Sequence, residues 1–383
     1  GNVAINSIWF RSVADDYKNI QFGSDGSFNR TFCVVGNTVY MSGRSENSSG
    51  ATPYLRKFDG QTGEILGDII LGDEAKLVYY PCNQVMKDSK GNICIANLSL
   101  NISSTPVVVH KVDLETGALT QIASLTYSGS TSRCDHVTLT GDVEAGNFSI
   151  YGAFAKAKVV VRWNFENGVA KSQDVCSLAT LYPTTATALG TAPRVIVIDE
   201  NSFFVVGGET QLARYDFSTG KMTDSFTNNM DMEPVASEAN GGTWFTMNGT
   251  NYMVYPYADF TDANGHQYNV VKTDENLSFK SMELMWTFPK NGMGAVSSTT
   301  FQADADYVKV GEGMVRFYVF VPGNGLCAYE LVDTSVSGLE SVVEGVATEV
   351  ARYDLSGRLV ANPVKGINIV KMSDGTVKKV IVK

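Results

Sequence analysis

Long apolar runs are missing from this 383-residue chain. The densest stretches, residues 107–109, 194–198 and 317–321, are strand-sized, well short of the roughly 18 residues a membrane-spanning helix needs, so no transmembrane segment is expected. Histidine is scarce: His110, His136 and His266 stand far apart with no H-x-x-x-H spacing. The six cysteines (Cys33, Cys82, Cys94, Cys134, Cys176 and Cys327) never come closer than twelve residues, which excludes C-x-x-C metal or redox pairs. No metal and no cofactor are therefore expected. Each cysteine lies in or beside a strand-like run, which suits buried free thiols, one or more bridges being the other reading. Positive charge is in deficit, with 30 Lys and Arg against 40 Asp and Glu and a formal charge of −10. That balance disfavours a phosphate-tracking surface and excludes nucleic acid as an expected partner. There is no G-x-S-x-G elbow, Walker loop or G-x-G-x-x-G after a strand. Gly1 opens no charged-then-apolar leader, so any leader is expected to have been removed.

What is present describes a folded, turn-rich chain: 44% hydrophobic residues, 18% charged residues and 36 glycines. One motif recurs, at Phe58-Asp59-Gly60-Gln61-Thr62-Gly63, Val112-Asp113-Leu114-Glu115-Thr116-Gly117, Trp163-Asn164-Phe165-Glu166-Asn167-Gly168 and Tyr215-Asp216-Phe217-Ser218-Thr219-Gly220. An Asp or Asn accepts backbone N–H bonds across a tight turn, and the trailing glycine takes the positive-φ position of a bulged hairpin. The steps between copies are 54, 51 and 52 residues, with degenerate copies at Asp274 and Glu330 after 58 and 56.

A period near fifty, with two further strand-like runs before each motif, matches a four-stranded blade. The expected fold is all-β: a six-bladed β-propeller over 1–333, seven blades being the alternative. The blades run roughly 28–76, 80–130, 133–182, 192–230, 233–290 and 294–333. The sixth lacks an outer strand, which residues 4–13 can supply, pairing the start of the chain with its end and removing an exposed edge. Beyond Asp333, residues 334–383 read as a linker and a small C-terminal β-module. Within it, Tyr353-Asp354-Leu355-Ser356-Gly357-Arg358-Leu359-Val360, Lys365-Gly366-Ile367-Asn368-Ile369-Val370 and the Lys378-Lys379-Val380-Ile381-Val382-Lys383 ending resemble the C-terminal sorting domain of the Por (type IX) secretion pathway of Bacteroidetes. The propeller portion is similar to uncharacterised secreted propellers of that phylum. The resemblance implies secretion or display on the outer cell surface, the periplasm being the alternative, and attachment through the tail, which is shorter here than in the family.

Propellers bind ligands where the innermost strands begin, because connecting loops converge there around the axis. The residues at those entrances are Arg30, Asn83, Arg133, Asp135, His136, Arg194 and Glu233. Arginines at one mouth can hold a carboxylate or sulfate through paired N–H donors, or can pair with neighbouring acids to stabilise the ring. In the fifth blade, alternation puts Tyr255 and Tyr257 on one face, followed by Asp262, Asn264, Gly265 and His266. Aromatic faces beside carboxylates suit a sugar-binding surface, although strand tyrosines are also ordinary sheet residues. Asp262, Asn264 and Gly265 give only part of a calcium loop. The function this supports is recognition of a glycan or other polar extracellular ligand at the loop face. The alternatives are a carbohydrate hydrolase or lyase, for which Asp135 and Glu233 would have to converge, and a protein-interaction scaffold.

Overall fold

A computed structural model describes residues 3–12, 29–46, 51–234, 240–257, 267–290, 292–293, 304–336, 349–373, 375 and 377–383. Among these residues the chain forms six four-stranded antiparallel sheets and one three-stranded sheet. Blade one comprises Phe32–Val35, Thr38–Arg44, Pro53–Asp59 and Ile65–Ile70. Blade two comprises Gln84–Lys87, Ile93–Ala96, Val107–Val112 and Leu119–Leu125, and blade three Val137–Asp142, Asn147–Ala153, Val159–Glu166 and Val169–Ser177. Blade four is built from Arg194–Val197, Ser202–Gly207, Thr210–Asp216 and Met222–Ser225, and blade five from Thr243–Met247, Thr250–Pro256, Tyr268–Thr273 and Glu283–Phe288. Blade six takes Asp304–Gly311, Met314–Val321 and Gly325–Asp333 from the end of the propeller, and its outer strand, Val3–Ser12, from the beginning. This closes the ring as the sequence suggests.

Side-chain alternation explains why the sheets stack radially. In Met314–Val321 every residue is buried. Phe317 and Val319 join Phe245, Tyr252 and Val254 of blade five, while Tyr318 and Phe320 join Phe32, Val34 and Val39 of blade one. Because successive side chains point to opposite faces, one strand feeds two interfaces. Equivalent clusters join blades one and two through Leu55 and Ile95, two and three through Val109 and Ile150, and three, four and five through Val160, Phe204 and Val271. Each such side chain contributes about 1.5–3 kcal/mol by leaving water.

The Asp-Gly motif makes the outer turn. Asp59 Oδ1 accepts the backbone N–H groups of Gln61 and Thr62 at 2.8 and 3.0 Å, and Asp113 Oδ1 those of Glu115 and Thr116 at 2.9 and 3.2 Å. Gly117 and Gly220 have φ of +75° and +70°, and a Cβ on either would lie 2.0 and 1.8 Å from the carbonyl oxygens of Ile70 and Ser177. These turns therefore also dock onto the preceding blade, where Gly117 and Gly220 accept N–H bonds from Gly72 and Ala179. Two expected copies are displaced. Asn164 lies inside its strand, its Oδ1 accepting from Ser149, and the blade-three turn is Asn167-Gly168, with φ of +51° and +78°. Glu330 is likewise within a strand and bonds Arg316, the turn aspartate of blade six being Asp333, whose Oδ1 accepts Ser335 N–H.

All six cysteines are buried free thiols. The three-stranded sheet, Glu349–Asp354, Gly366–Met372 and Val377–Val382, has its own polar centre. There Arg352 bonds Glu349 through both carboxylate oxygens and donates to Asn368 Oδ1 at 2.9 Å. Among the described residues, no helix is long and apolar enough to cross a membrane.

Candidate functional site

The innermost strand of every blade has an open edge toward the axis, and its unpaired backbone groups need partners. Side chains of neighbouring blades supply them. Thr31 Oγ1 accepts Val85 N–H at 2.8 Å, and the Gln84 amide accepts from Val137 N–H and donates to Val137 O. Thr138 donates to Val195 O and Trp244 to Val197 O. Blade one is capped by carboxylates: Asp304 Oδ2 accepts Phe32 N–H at 3.1 Å and Asp306 Oδ2 accepts Val34 N–H at 2.8 Å.

Those two carboxylates meet cations that reach across the axis. Arg194 of blade four lies 3.0 Å from Asp304, and Lys87 of blade two 3.0 Å from Asp306. Lys87 Nζ also donates to the carbonyls of Val34 and Tyr307 at 2.6 and 3.1 Å. Burial raises the Asp304 carboxyl above its ordinary value, against the opposing pull of Arg194 and Phe32 N–H. A cavity of about 270 Å³ surrounds these pairs, lined by residues of all six blades. On the side of the inner hairpin turns it gives way to a wider funnel of about 980 Å³, bordered by Lys87, Asp88, Tyr307 and Lys309.

A second polar cluster stands at the strand entrances of blades one to three. Arg44, at the end of Thr38–Arg44, is 1% exposed and donates to Asn83 Oδ1 at 3.1 Å. Asn83 donates to the Asp135 carbonyl at 2.9 Å, and the Asp135 carboxylate takes both Nε and Nη2 of Arg133 at 2.7 Å. Burial and the nearby Arg30 push the Arg44 guanidinium down to about 10. Over this cluster runs the connection from blade one to blade two. A short 3-10 helix, Asp73–Leu77, precedes Tyr80 and Cys82, whose φ values are +49° and +48°. The turn leaves Tyr79 46% exposed with its ring 4.8 Å from that of Tyr80, and the Arg44 guanidinium sits 5.4 Å from the Tyr80 ring centroid. An aromatic edge thus adjoins a rigid set of polar groups, the composition of a site that orients a polar ligand.

The residues expected at the mouth are distributed unevenly. Arg30, Asn83, Arg133, Asp135 and His136 gather at blades one to three, with His136 buried. Arg194 lies in the axial cavity. Glu233 follows blade four and accepts from Gln211 Nε2 at 3.1 Å. Tyr255 corrects the expectation of an exposed aromatic face: it is 2% exposed, packs on Phe226 and donates to the Met232 carbonyl at 2.8 Å. Its side of the sheet is covered by blade four, so its ring cannot meet a sugar. Tyr257 is half-buried. Asp262, Asn264, Gly265 and His266 lie outside the described residues. Arg44, Tyr79, Tyr80, Lys87, Asp304 and Asp306 were not singled out by sequence. The available signal was charge inside inner strands, where Asp304, Asp306 and Lys87 interrupt apolar runs. Among the described residues, no group of three His, Cys, Asp or Glu side chains could hold a metal ion.

No family model matches the chain, and no curated protein matches it. Its fold is that of several solved structures. A DUF4623 family protein from Bacteroides eggerthii aligns with a TM-score of 0.61 and 15% identity, over 86% of this chain and 75% of that one. An α-L-arabinofuranosidase from Fusarium graminearum aligns with a TM-score of 0.53 and 11% identity, over 88% of this chain and 99% of that one. An α-L-arabinanase from Penicillium chrysogenum, solved with arabinobiose, gives a TM-score of 0.50 at 11% identity with the same coverage.

Proposed function

We propose that the chain is an extracytoplasmic glycan-recognition propeller that takes its ligand at the strand-entrance mouth. The observation that carries this reading is the Tyr79–Tyr80 edge beside the half-buried Arg133 guanidinium, which the buried Arg44–Asn83–Asp135 network behind it holds in place. A sugar has apolar C–H faces and hydroxyls at its rim, so it pairs an aromatic ring with fixed donors and acceptors. The Arg133 guanidinium is fixed by Asp135 before ligand arrives, which limits the ordering cost of binding. Localisation outside the cytoplasm rests on the sorting-like tail, with the Asp354-Leu355-Ser356-Gly357 turn and the basic final strand as its recognisable parts. Deleting residues 337–383 is expected to retain the protein inside the cell envelope of a Bacteroidetes host, and unchanged surface display of the truncated chain contradicts the tail assignment.

A hydrolytic role is the second reading, favoured by the alignment of this chain along nearly the whole length of an α-L-arabinofuranosidase and an α-L-arabinanase. Several described carboxylates of the mouth and axis already have partners, Glu233 among them through Gln211 Nε2. Asp135, Asp304 and Asp306 are each engaged by a cation, and the latter two also by backbone N–H groups. General acid–base work needs a carboxyl pair facing a shared cleft. Titration calorimetry against a panel of plant and host oligosaccharides, with reducing-end release followed on the same samples, separates the readings. Binding without release supports recognition. Release establishes the hydrolase, and neither effect across the panel contradicts a glycan role.

A further inference from the structure

We infer that Arg194 forms an oxyanion subsite at the axial end of the mouth, so that the glycan recognised there carries a carboxylate, as a uronic acid does. This rests on the glycan reading above and adds the class of sugar.

Several arginines of this chain present the same edge to an acid. The Nε and Nη2 donors form one edge of the planar guanidinium, spaced to meet a carboxylate. In Arg56, Arg133, Arg162, Arg316 and Arg352 that edge is filled by Asp68, Asp135, Asp174, Glu330 and Glu349 respectively. Arg194 is arranged differently. Asp304 engages its Nη1 at 3.0 Å, and Nε and Nη2 are buried with no acceptor among the described residues. A buried guanidinium edge without an acceptor is costly, and the costs of desolvating it were met elsewhere in the fold by an acid.

The surroundings favour an anion with room to enter. Arg194 lines the 270 Å³ axial cavity together with Gly241 and Gly242, which lead into the adjoining blade five and present no side chain. At the strand entrances, Arg30, Arg44, Arg133 and Arg194 stand with Asp135 and Asp304. Burial first, and Arg30 second, depress the Arg44 guanidinium, so two cations stand close together there in a chain of net charge −10. Asp304 holds the Nη1 end of Arg194 at 3.0 Å and is itself anchored by Phe32 N–H.

The test compares ligands that differ only at the carboxyl group: oligogalacturonide and its methyl ester, titrated calorimetrically into the full chain. A neutral arabino-oligosaccharide is run alongside. The expected result is at least tenfold tighter binding of the acid than of the ester, with that ratio falling to about one in Arg194→Lys, which keeps the charge and loses the planar edge. The double variant Arg194→Met with Asp304→Asn removes both partners together and is expected to fold and to lose the same preference. Equal binding of acid and ester, or a ratio that survives in both variants, overturns the subsite. Binding of the neutral oligosaccharide alone also overturns it and leaves the glycan reading standing. Absence of binding to all three overturns the subsite together with the reading beneath it.

Discussion

Single side chains carry the joints between blades, and Asp88 shows how. Its carboxylate accepts Lys90 N–H, Asn92 N–H and Asn92 Nδ2 within its own turn at 3.0, 2.8 and 2.9 Å, and Val143 N–H of the next blade at 2.9 Å. Burial alone would raise its pKa, but these four donors outweigh burial and lower it. A carboxyl with a depressed native value stabilises the fold above the ordinary aspartate range and loses that contribution as pH falls through the native value. Asp88→Ala is expected to cost about 1–3 kcal/mol in urea denaturation at neutral pH. Asp88→Asn is expected to weaken the drop in midpoint between pH 7 and about pH 3.5, the range where aspartates take up protons. Tyr79 is the opposite kind of residue, exposed and without a structural hydrogen bond among its described contacts. Tyr79→Ala is expected to leave the denaturation midpoint within about 0.5 kcal/mol of the parent. The same change should weaken glycan binding by about 0.5–1.5 kcal/mol, the range for an aromatic contact.

Elements were far more legible in the sequence than the site was, for physical reasons. Turn chemistry is local: Asp59, Asp113 and Asp216 declare their hairpins within six residues, because the acceptor and the N–H groups it binds are neighbours in the chain. Asn164 and Glu330 mislead because a polar residue near the right spacing resembles a turn former. In blade three the Asn167-Gly168 pair does that work two residues after the strand bulges. Tyr255 misled for another reason. Alternation tells which residues share a face and says nothing of what covers that face, and here blade four does. The mouth was partly readable from strand starts, but Arg44 comes from blade one, Tyr79 from the connection between blades one and two and Asp304 from blade six, and only closure of the ring brings their environments together.

The closing strand and the turn glycines are the elements most exposed to single changes. Trp9 donates to the Gly60 carbonyl at 2.9 Å and packs on Tyr318, tying the start of the chain to blades one and six. Trp9→Ala is expected to lower stability by about 3–5 kcal/mol, the range for deleting a buried aromatic, measured as the free energy of urea unfolding. Gly220→Ala is expected to cost more than about 2 kcal/mol, since it combines a left-handed backbone with a clash against Ser177. Gly168→Ala should cost less, because its turn has φ of +78° but nothing within 4 Å of the added carbon. Comparing the two glycines separates backbone strain from docking between blades.

On the scale of the whole molecule, the wheel serves to concentrate what the blades cannot hold alone. Each inner strand ends in open backbone groups, and the neighbouring blade answers with Thr31, Gln84, Thr138, Asp304 or Asp306. The axis therefore becomes polar and rigid, with Arg194 and Lys87 reaching across it. Loops at one end add Tyr79 and Tyr80 to this frame, while the other end opens as a wider funnel of different character. Ligand is expected at the first of these ends. Hydrogen–deuterium exchange, recorded with and without the tightest-binding oligosaccharide from the panel, tests that placement directly. Protection should be confined to peptides spanning residues 71–84, 133–137 and 193–197. Protection of the inner turns at 35–38, 88–92 and 308–313, with the first group unchanged, would put the ligand in the opposite funnel and contradict the account.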